Sequence, residues 1–175
     1  MPTPAGNAEH DIETTALLSG STVDTQDVFV VHGRDTSARD AVCRVIRQLT
    51  DREPIILNEQ PNKGRTVIEK FEDHAGQVGA AVVIVSPDDE GRLRHHEPEA
   101  VLTPRTRQNV LFELGWFYAK LGRDRVIALL VDDVEWPSDI HGVVYERLDT
   151  SGGWKHRLGK ELAAAGIDVD LNNIQ

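Results

Sequence analysis

The sequence has little of what marks a secreted, membrane-bound or nucleic-acid-binding protein. Cys43 is the single cysteine among the 175 residues, so an intramolecular disulfide is excluded. No apolar run reaches the roughly 20 residues of a membrane span, and the N-terminal segment lacks the basic-then-apolar pattern of a signal peptide. Nineteen basic against 29 acidic residues give a net charge of −10, which argues against nucleic acid or an anionic membrane as the main partner. We expect a cytoplasmic protein.

Familiar catalytic motifs are also missing. The chain contains neither the G-x-G-x-x-G fingerprint nor the G-x-x-x-x-G-K-[ST] phosphate loop, which disfavours classical dinucleotide binding and NTPase chemistry. Ser86 precedes a proline without a nucleophile-elbow sequence, and no Ser–His–Asp arrangement stands out. Residues 94–97 with Asp88 and Asp89 form a polar cluster whose spacing matches no familiar metal-ligand set. We therefore expect no metal site.

What is present is the pattern of one globular domain preceded by a leader. Residues 1–26 are rich in Pro, Gly, Ser, Thr and acids without a sustained period, which predicts a flexible N-terminal leader. Short apolar runs and amphipathic patterns then alternate, which predicts a domain over residues 27–175. The runs typical of buried strands are residues 28–31, 54–57, 80–86, 125–131 and 142–148.

Helical spacing of apolar residues separates these runs. Asp35, Thr36 and Ser37 offer N-caps for the first helix, and Thr103 and Pro104 suit the start of the third. The predicted helices cover residues 36–50, a stretch opened by the capping box at 66–69, a stretch from Thr103 to Gly122, and residues 154–166.

Alternating strands and helices predict an α/β fold. We expect a five-stranded parallel sheet of order 2-1-3-4-5 with right-handed crossovers and helices on both faces, the flavodoxin-like arrangement. The connector between the last two strands is too short for a full helix. In this strand order, ligands bind outside the carboxyl ends of strands one and three, where the winding direction reverses. The fold alone therefore predicts where a site lies.

The segments at that crevice offer groups suited to a nucleotide. Strand one leads into Gly33, Arg34 and Asp35, and strand two into a loop that contains Lys63 and Arg65. Backbone donors near Gly33 can receive a phosphate, with which Arg34 can pair. The alternative is a tight strand-to-helix turn in which Asp35 is only a helix cap.

The third helix places a carboxylate beside its apolar stripe. That stripe consists of Val110, Leu114 and Phe117. Asn109, Glu113 and Trp116 lie at i, i+4 and i+7, so they share an adjoining face that suits a sugar and a base. The alternative is a helix edge where Glu113 is a rim residue and Trp116 covers apolar surface. The pattern leaves both interpretations open.

Six segments in order resemble the bacterial TIR-like family, over about residues 27–174. Members of this family form the TIR part of STING–TIR and cyclic-nucleotide-responsive defence effectors. The segments that carry the resemblance are VFVVHGRD, EQPNKGRTVIEKFE, VVIVSPDDEG, RQNVLFELGWFYAKLGRDRV, PSDIHGVVY and AGIDVDLN.

The resemblance implies an NAD+ nucleosidase that cleaves the bond between nicotinamide and ribose. NAD+ is then the substrate, no cofactor is needed, and the product is ADP-ribose or a cyclised form. The family's catalytic glutamate corresponds to Glu113, on the helix after the third strand. The resemblance places the substrate near three loops, represented by Gly33, Arg34 and Asp35, by Lys63 and Gly64, and by Asp88 and Asp89.

The resemblance also implies partners and a role in antiphage defence. TIR enzymes generally act as assemblies in which the loop after strand two reorganises, so we expect self-association. The fused effectors carry a sensor for a cyclic nucleotide, whereas a short leader precedes the domain here. We expect sensing by a partner in trans, by assembly, or not at all. A non-catalytic TIR-like module that binds a nucleotide or assembles is the alternative to an enzyme.

Overall fold

The protein forms a five-stranded parallel sheet, as the sequence predicts. The computed structural model describes residues 25–57, 67–92, 94, 101–135, 137 and 145–174. The strands are β1 Val28–Val31, β2 Ile55–Ile56, β3 Ala80–Val85, β4 Asp89–Gly91, β5 Thr103–Arg105, β6 Val126–Leu130 and β7 Tyr145–Arg147. The main sheet has the order β2-β1-β3-β6-β7, and every pairing in it is parallel. Strand for strand, this is the predicted order.

The core lies on both faces of the sheet because β1, β3 and β6 are buried throughout. The helices are α1 Thr36–Thr50, α2 Val67–Ala75, α3 Gln108–Leu121 and α4 Gly153–Ala164. Alternate strand residues point to opposite faces, so Val82 and Ile84 pack with α1 and α4, whereas Val83 and Val85 pack with α2 and α3. None of the helices in this described part of the chain is long and apolar enough to cross a membrane.

The start of α3 differs from the prediction. Thr103 and Pro104 were expected to cap and open this helix, but they lie in β5, which pairs antiparallel with β4. The Pro104 carbonyl accepts a hydrogen bond of 2.7 Å from the Glu135 amide, and Arg105 forms an ion pair with Glu135. These contacts hold the chain extended, so α3 begins only at Gln108. Its N-cap is Arg107, without a side-chain capping bond.

Other boundaries are close to those expected. Asp35 caps α1 by accepting from the Ala38 amide at 2.9 Å, and Gly122 follows the end of α3 with a positive φ of 87°. The edge strand β2 is shorter than predicted, and β7 ends at Arg147, one residue before the predicted end, while residues 142–144 lie outside the described part of the chain. Residues 58–66, including the capping residue Thr66, and residues 1–24 of the predicted leader lie outside the described residues. Gln26, at the end of that leader, binds the Asp168 amide and the Gly166 carbonyl.

Candidate functional site

A cavity of about 250 Å³ lies along β1 and reaches the residue after it. β1 supplies one wall and Leu57 follows β2. The polar side chains come from His32 after β1, from Arg107 before α3 and from Asn109 and Glu113 in its first two turns. The lining residues are Phe29, Val30, Val31, His32, Leu57, Arg107, Asn109 and Glu113. Apolar surface on one side and a few convergent polar groups on the other are typical of a small-molecule site.

Glu113 is the carboxylate of this cavity. Its side chain is half-buried on α3, one turn after Asn109, which also lines the cavity. Burial raises the pKa of Glu113 from 4.5 to about 7, and the charge of Arg107 counteracts only part of that rise. A carboxyl group with such a pKa changes charge near neutral pH, which is common at functional sites.

His32 brings an imidazole to the same cavity. Its Nδ1 lies 2.8 Å from the Gly33 carbonyl oxygen, and the ring is half-buried at the end of β1. Burial lowers the pKa of His32 below its usual 6.5, although the bond to Gly33 raises it. The ring is therefore neutral at pH 7.

The turn between β1 and α1 is held by carboxylates. Asp88 Oδ2 accepts from the Arg34 amide at 3.0 Å, and Ser86 Oγ donates to Asp88 Oδ1 at 3.1 Å. A Cβ atom at Gly33 would lie 1.6 Å from Asp88 Oδ2, so a larger residue here would displace the Asp88 carboxylate from the turn. Asp35 likewise accepts from the Ala38 amide in the first turn of α1. Two of the backbone donors that a phosphate could use are therefore already bound to the protein's own carboxylates.

Comparison with known proteins identifies the domain. The family model for the TIR domain of the CAP12/Pycsar effector protein matches residues 27–150. The chain belongs to this TIR-domain family. The family is the bacterial antiphage group that the sequence resembles, so that prediction is confirmed.

Several relatives of this TIR domain cover different shares of it. YuaY of Escherichia coli (strain K12) is 47% identical over 162 residues, which are 93% of this chain and 52% of YuaY. Protein tirC of Dictyostelium discoideum is 35% identical over 125 residues, or 67% of this chain and 62% of tirC. The Pycsar effector protein PaPycTIR of Pseudomonas aeruginosa is 38% identical over 78 residues, or 43% of this chain and 24% of PaPycTIR. The chain thus spans less than two thirds of each.

The structure brings together only some of the predicted site residues. Asn109 and Glu113 line the cavity of this TIR domain, whereas Gly33, Arg34 and Asp35 form the turn beside it. Asp88 packs on that turn, and Asp89 pairs with Arg105 in the β4–β5 hairpin.

Trp116 packs into the apolar core of the TIR domain. Its ring lies 4.9 Å from Phe71 and 5.3 Å from Phe117, measured between ring centroids in edge-on contacts. It is not among the lining residues of the cavity. Lys63 and Gly64 lie outside the described residues, as do residues 95–97 of the polar cluster. Within the described residues, no three potential metal ligands come together.

Sequence reasoning missed His32, Leu57 and Arg107 as lining residues. His32 stands in the segment VFVVHGRD and Arg107 opens RQNVLFELGWF, so both belong to segments that carry the family resemblance. Their positions could have identified both residues. His32 directly follows the strand at the switch point, and Arg107 lies six residues before Glu113, at the start of the same helix.

Proposed function

We propose that this TIR domain is an NAD+ nucleosidase whose catalytic carboxylate is Glu113. The observation that carries the proposal is that Glu113 lines a cavity on β1 of mixed polar and apolar surface, where burial raises its pKa to about 7. Membership of the CAP12/Pycsar effector TIR family supports it. Burial disfavours the ionised form of Glu113, and a nearby cation favours it. The nicotinamide ring of NAD+ carries such a positive charge.

The chemistry requires one anion and no general acid. The nicotinamide ring of NAD+ is a cation, so when the C1′–N bond breaks, the nitrogen keeps the bonding electron pair and leaves neutral. Positive charge then develops on the ribose, as in glycoside hydrolysis. An ionised Glu113 held beside that charge in a poorly solvated cavity stabilises the transition state more than the ground state.

The remaining lining residues suit the rest of the substrate. Phe29 and Leu57 offer apolar surface to the nicotinamide ring, and Asn109 offers an amide to the ribose hydroxyl groups. The guanidinium of Arg107 suits the diphosphate, which it can bind through two parallel hydrogen bonds. A volume of about 250 Å³ fits the nicotinamide riboside half of the molecule.

Membership of the family supports a wider role. We propose that the domain acts in the cytoplasm as an antiphage effector, that it self-associates when active, and that a sensor partner can supply the signal. The relative PaPycTIR is itself named a Pycsar effector, which supports the defence role. The product is ADP-ribose or its cyclised form.

The test is release of nicotinamide from NAD+ by the purified protein at high concentration with a crowding agent. Glu113→Gln should abolish release while keeping the fold, because the amide cannot stabilise a cation as an anion does. Glu161→Gln, at an exposed position on α4, is the matched control and should leave release unchanged. Equal release from wild type and Glu113→Gln would exclude Glu113 as the catalytic carboxylate. No release from the wild type in any assembly state would favour the non-catalytic module.

A further inference from the structure

His32 is a second ionisable group in the cavity, and breakage of the C1′–N bond does not use it. The Gly33 carbonyl oxygen can only accept a hydrogen bond, so the close contact of 2.8 Å means that Nδ1 of His32 carries the hydrogen. In a neutral imidazole the other nitrogen, Nε2, then has a free lone pair. The backbone of the β1–α1 turn thus selects the tautomer.

The surroundings keep this ring neutral and its Nε2 available. Burial lowers the pKa of His32, as does the charge of Arg39. Together they outweigh the hydrogen bond to Gly33 and the charges of Asp40 and Asp88, which raise this pKa. Within the described part of the chain, Nδ1 to Gly33 is the hydrogen bond that His32 forms. Among the residues that the structure describes, Nε2 of the cavity-lining His32 thus has no protein hydrogen-bond partner.

Glu113 and His32 divide two tasks that hydrolysis requires. An ionised carboxylate is needed against the cationic ribose, and the water that attacks C1′ must lose a proton. A carboxylate that took this proton would lose the charge that stabilises the transition state. Two titratable groups with pKa values pushed in opposite directions are the usual sign of divided acid–base roles.

We propose that Nε2 of His32 is the base that accepts the proton of the attacking water, an inference that rests on the proposed NAD+ nucleosidase function. The water oxygen forms a bond to C1′, the C1′–N bond breaks with its electron pair going to nicotinamide, and one water proton passes to Nε2. The imidazolium then releases this proton to solvent. No oxidant, reductant or metal takes part.

This role makes His32 specific for nucleophiles that carry a proton. A pyridine base such as 3-acetylpyridine attacks C1′ through a nitrogen without a hydrogen, so exchange of nicotinamide for that base needs Glu113 but not His32. The ratio of ADP-ribose to exchanged dinucleotide therefore reports on the base alone.

The experiment measures this ratio for wild type, His32→Asn, His32→Ala and the control His156→Asn, which changes an exposed histidine on α4. The side-chain amide that His32→Asn introduces can still donate to the Gly33 carbonyl but provides no base. Both His32 variants should lower the ratio by about 10²-fold or more, the typical contribution of a general base, whereas the control should not. Loss of hydrolysis and exchange in equal proportion would show that His32 is only structural, and an unchanged ratio would show that it is not the base.

A measurement on the wild-type protein keeps the inference independent of how the variants fold. Because a proton is transferred as water attacks, hydrolysis should be slower in D₂O relative to exchange, and an equal effect of D₂O on both reactions would overturn the role of His32. Wild-type protein that neither hydrolyses nor exchanges would overturn the proposed function itself. The two failures are therefore distinguishable.

Discussion

The buried charge of Glu113 should make the protein less stable as the pH rises, and Glu113→Gln should remove that loss. The unfolded chain releases the Glu113 proton near its ordinary pKa of 4.5, whereas the folded protein holds it to about 7. Between these values the folded state binds more protons than the unfolded state, so the free energy of unfolding falls with increasing pH. Below pH 4.5 both states are protonated and the loss is absent.

The size of this loss follows from the two pKa values. The difference between 4.5 and about 7 corresponds to about 3 kcal/mol of folding free energy above pH 7, at about 1.4 kcal/mol per pH unit. Because Glu113 is half-buried and partly solvated, this is an upper value. Glutamine has the shape of the protonated acid, so Glu113→Gln should match wild type at pH 4 and exceed it by roughly 2–3 kcal/mol at pH 8.

Urea denaturation followed by circular dichroism at pH 4, 6 and 8 measures this difference. The exposed variant Glu161→Gln controls for a general effect of removing one negative charge from an acidic protein. A gain for Glu113→Gln that is the same at pH 4 and pH 8, or a variant less stable than wild type at pH 8, would refute the reasoning. In either case burial would not control the ionisation of Glu113.

Three further predictions follow from the site. The kcat/KM for nicotinamide release should fall as the pH drops below about 7, because Glu113 of the free enzyme then becomes protonated. The fall should approach tenfold per pH unit, and a pH–rate profile that is flat from 5 to 8 would contradict this. Arg107→Gln should raise KM for NAD+ more than it lowers kcat, and should raise the pKa of Glu113 further, since Arg107 lowers it; a profile shifted to lower pH would be the opposite result. Gly33→Ala should cost about 1–3 kcal/mol of stability in urea denaturation, because the new Cβ displaces Asp88 from the Arg34 amide, and adding Asp88→Ala should recover part of that cost.

The sequence patterns predict the framework well because periodicity there reflects burial. The four residues of β1 and the bounds of α1 are as predicted. A short continuous apolar run is typical of a strand buried on both faces, and an apolar stripe with helical spacing is typical of a helix packed against the core. The predicted strand order is confirmed for the same reason. The bounds of β2 are predicted less accurately because this edge strand pairs on one side only.

The start of α3 could not be predicted from local signals. Thr103 and Pro104 have the composition of a helix start, but the contacts of this segment with Glu135, about thirty residues later in the chain, keep it extended. The same limit applies to the site. The family resemblance predicted Glu113 as a site residue. No local pattern predicted His32 or Arg107, because they line the cavity only where the fold brings the end of a strand and the start of a helix together.

The carboxylate of Asp88 on the β1–α1 turn has a consequence for how a nucleotide is recognised. Many doubly wound proteins take hold of their ligand by its phosphates, at the amino end of the first helix. Here Asp88 binds the Arg34 amide and Asp35 the Ala38 amide, so an incoming phosphate would meet negative charge instead of free donors. Phosphate groups therefore find two fewer backbone donors at this turn than the fold usually offers. Under the proposed function, recognition of NAD+ then depends on the side chains of the cavity, among them Arg107, Asn109 and Glu113.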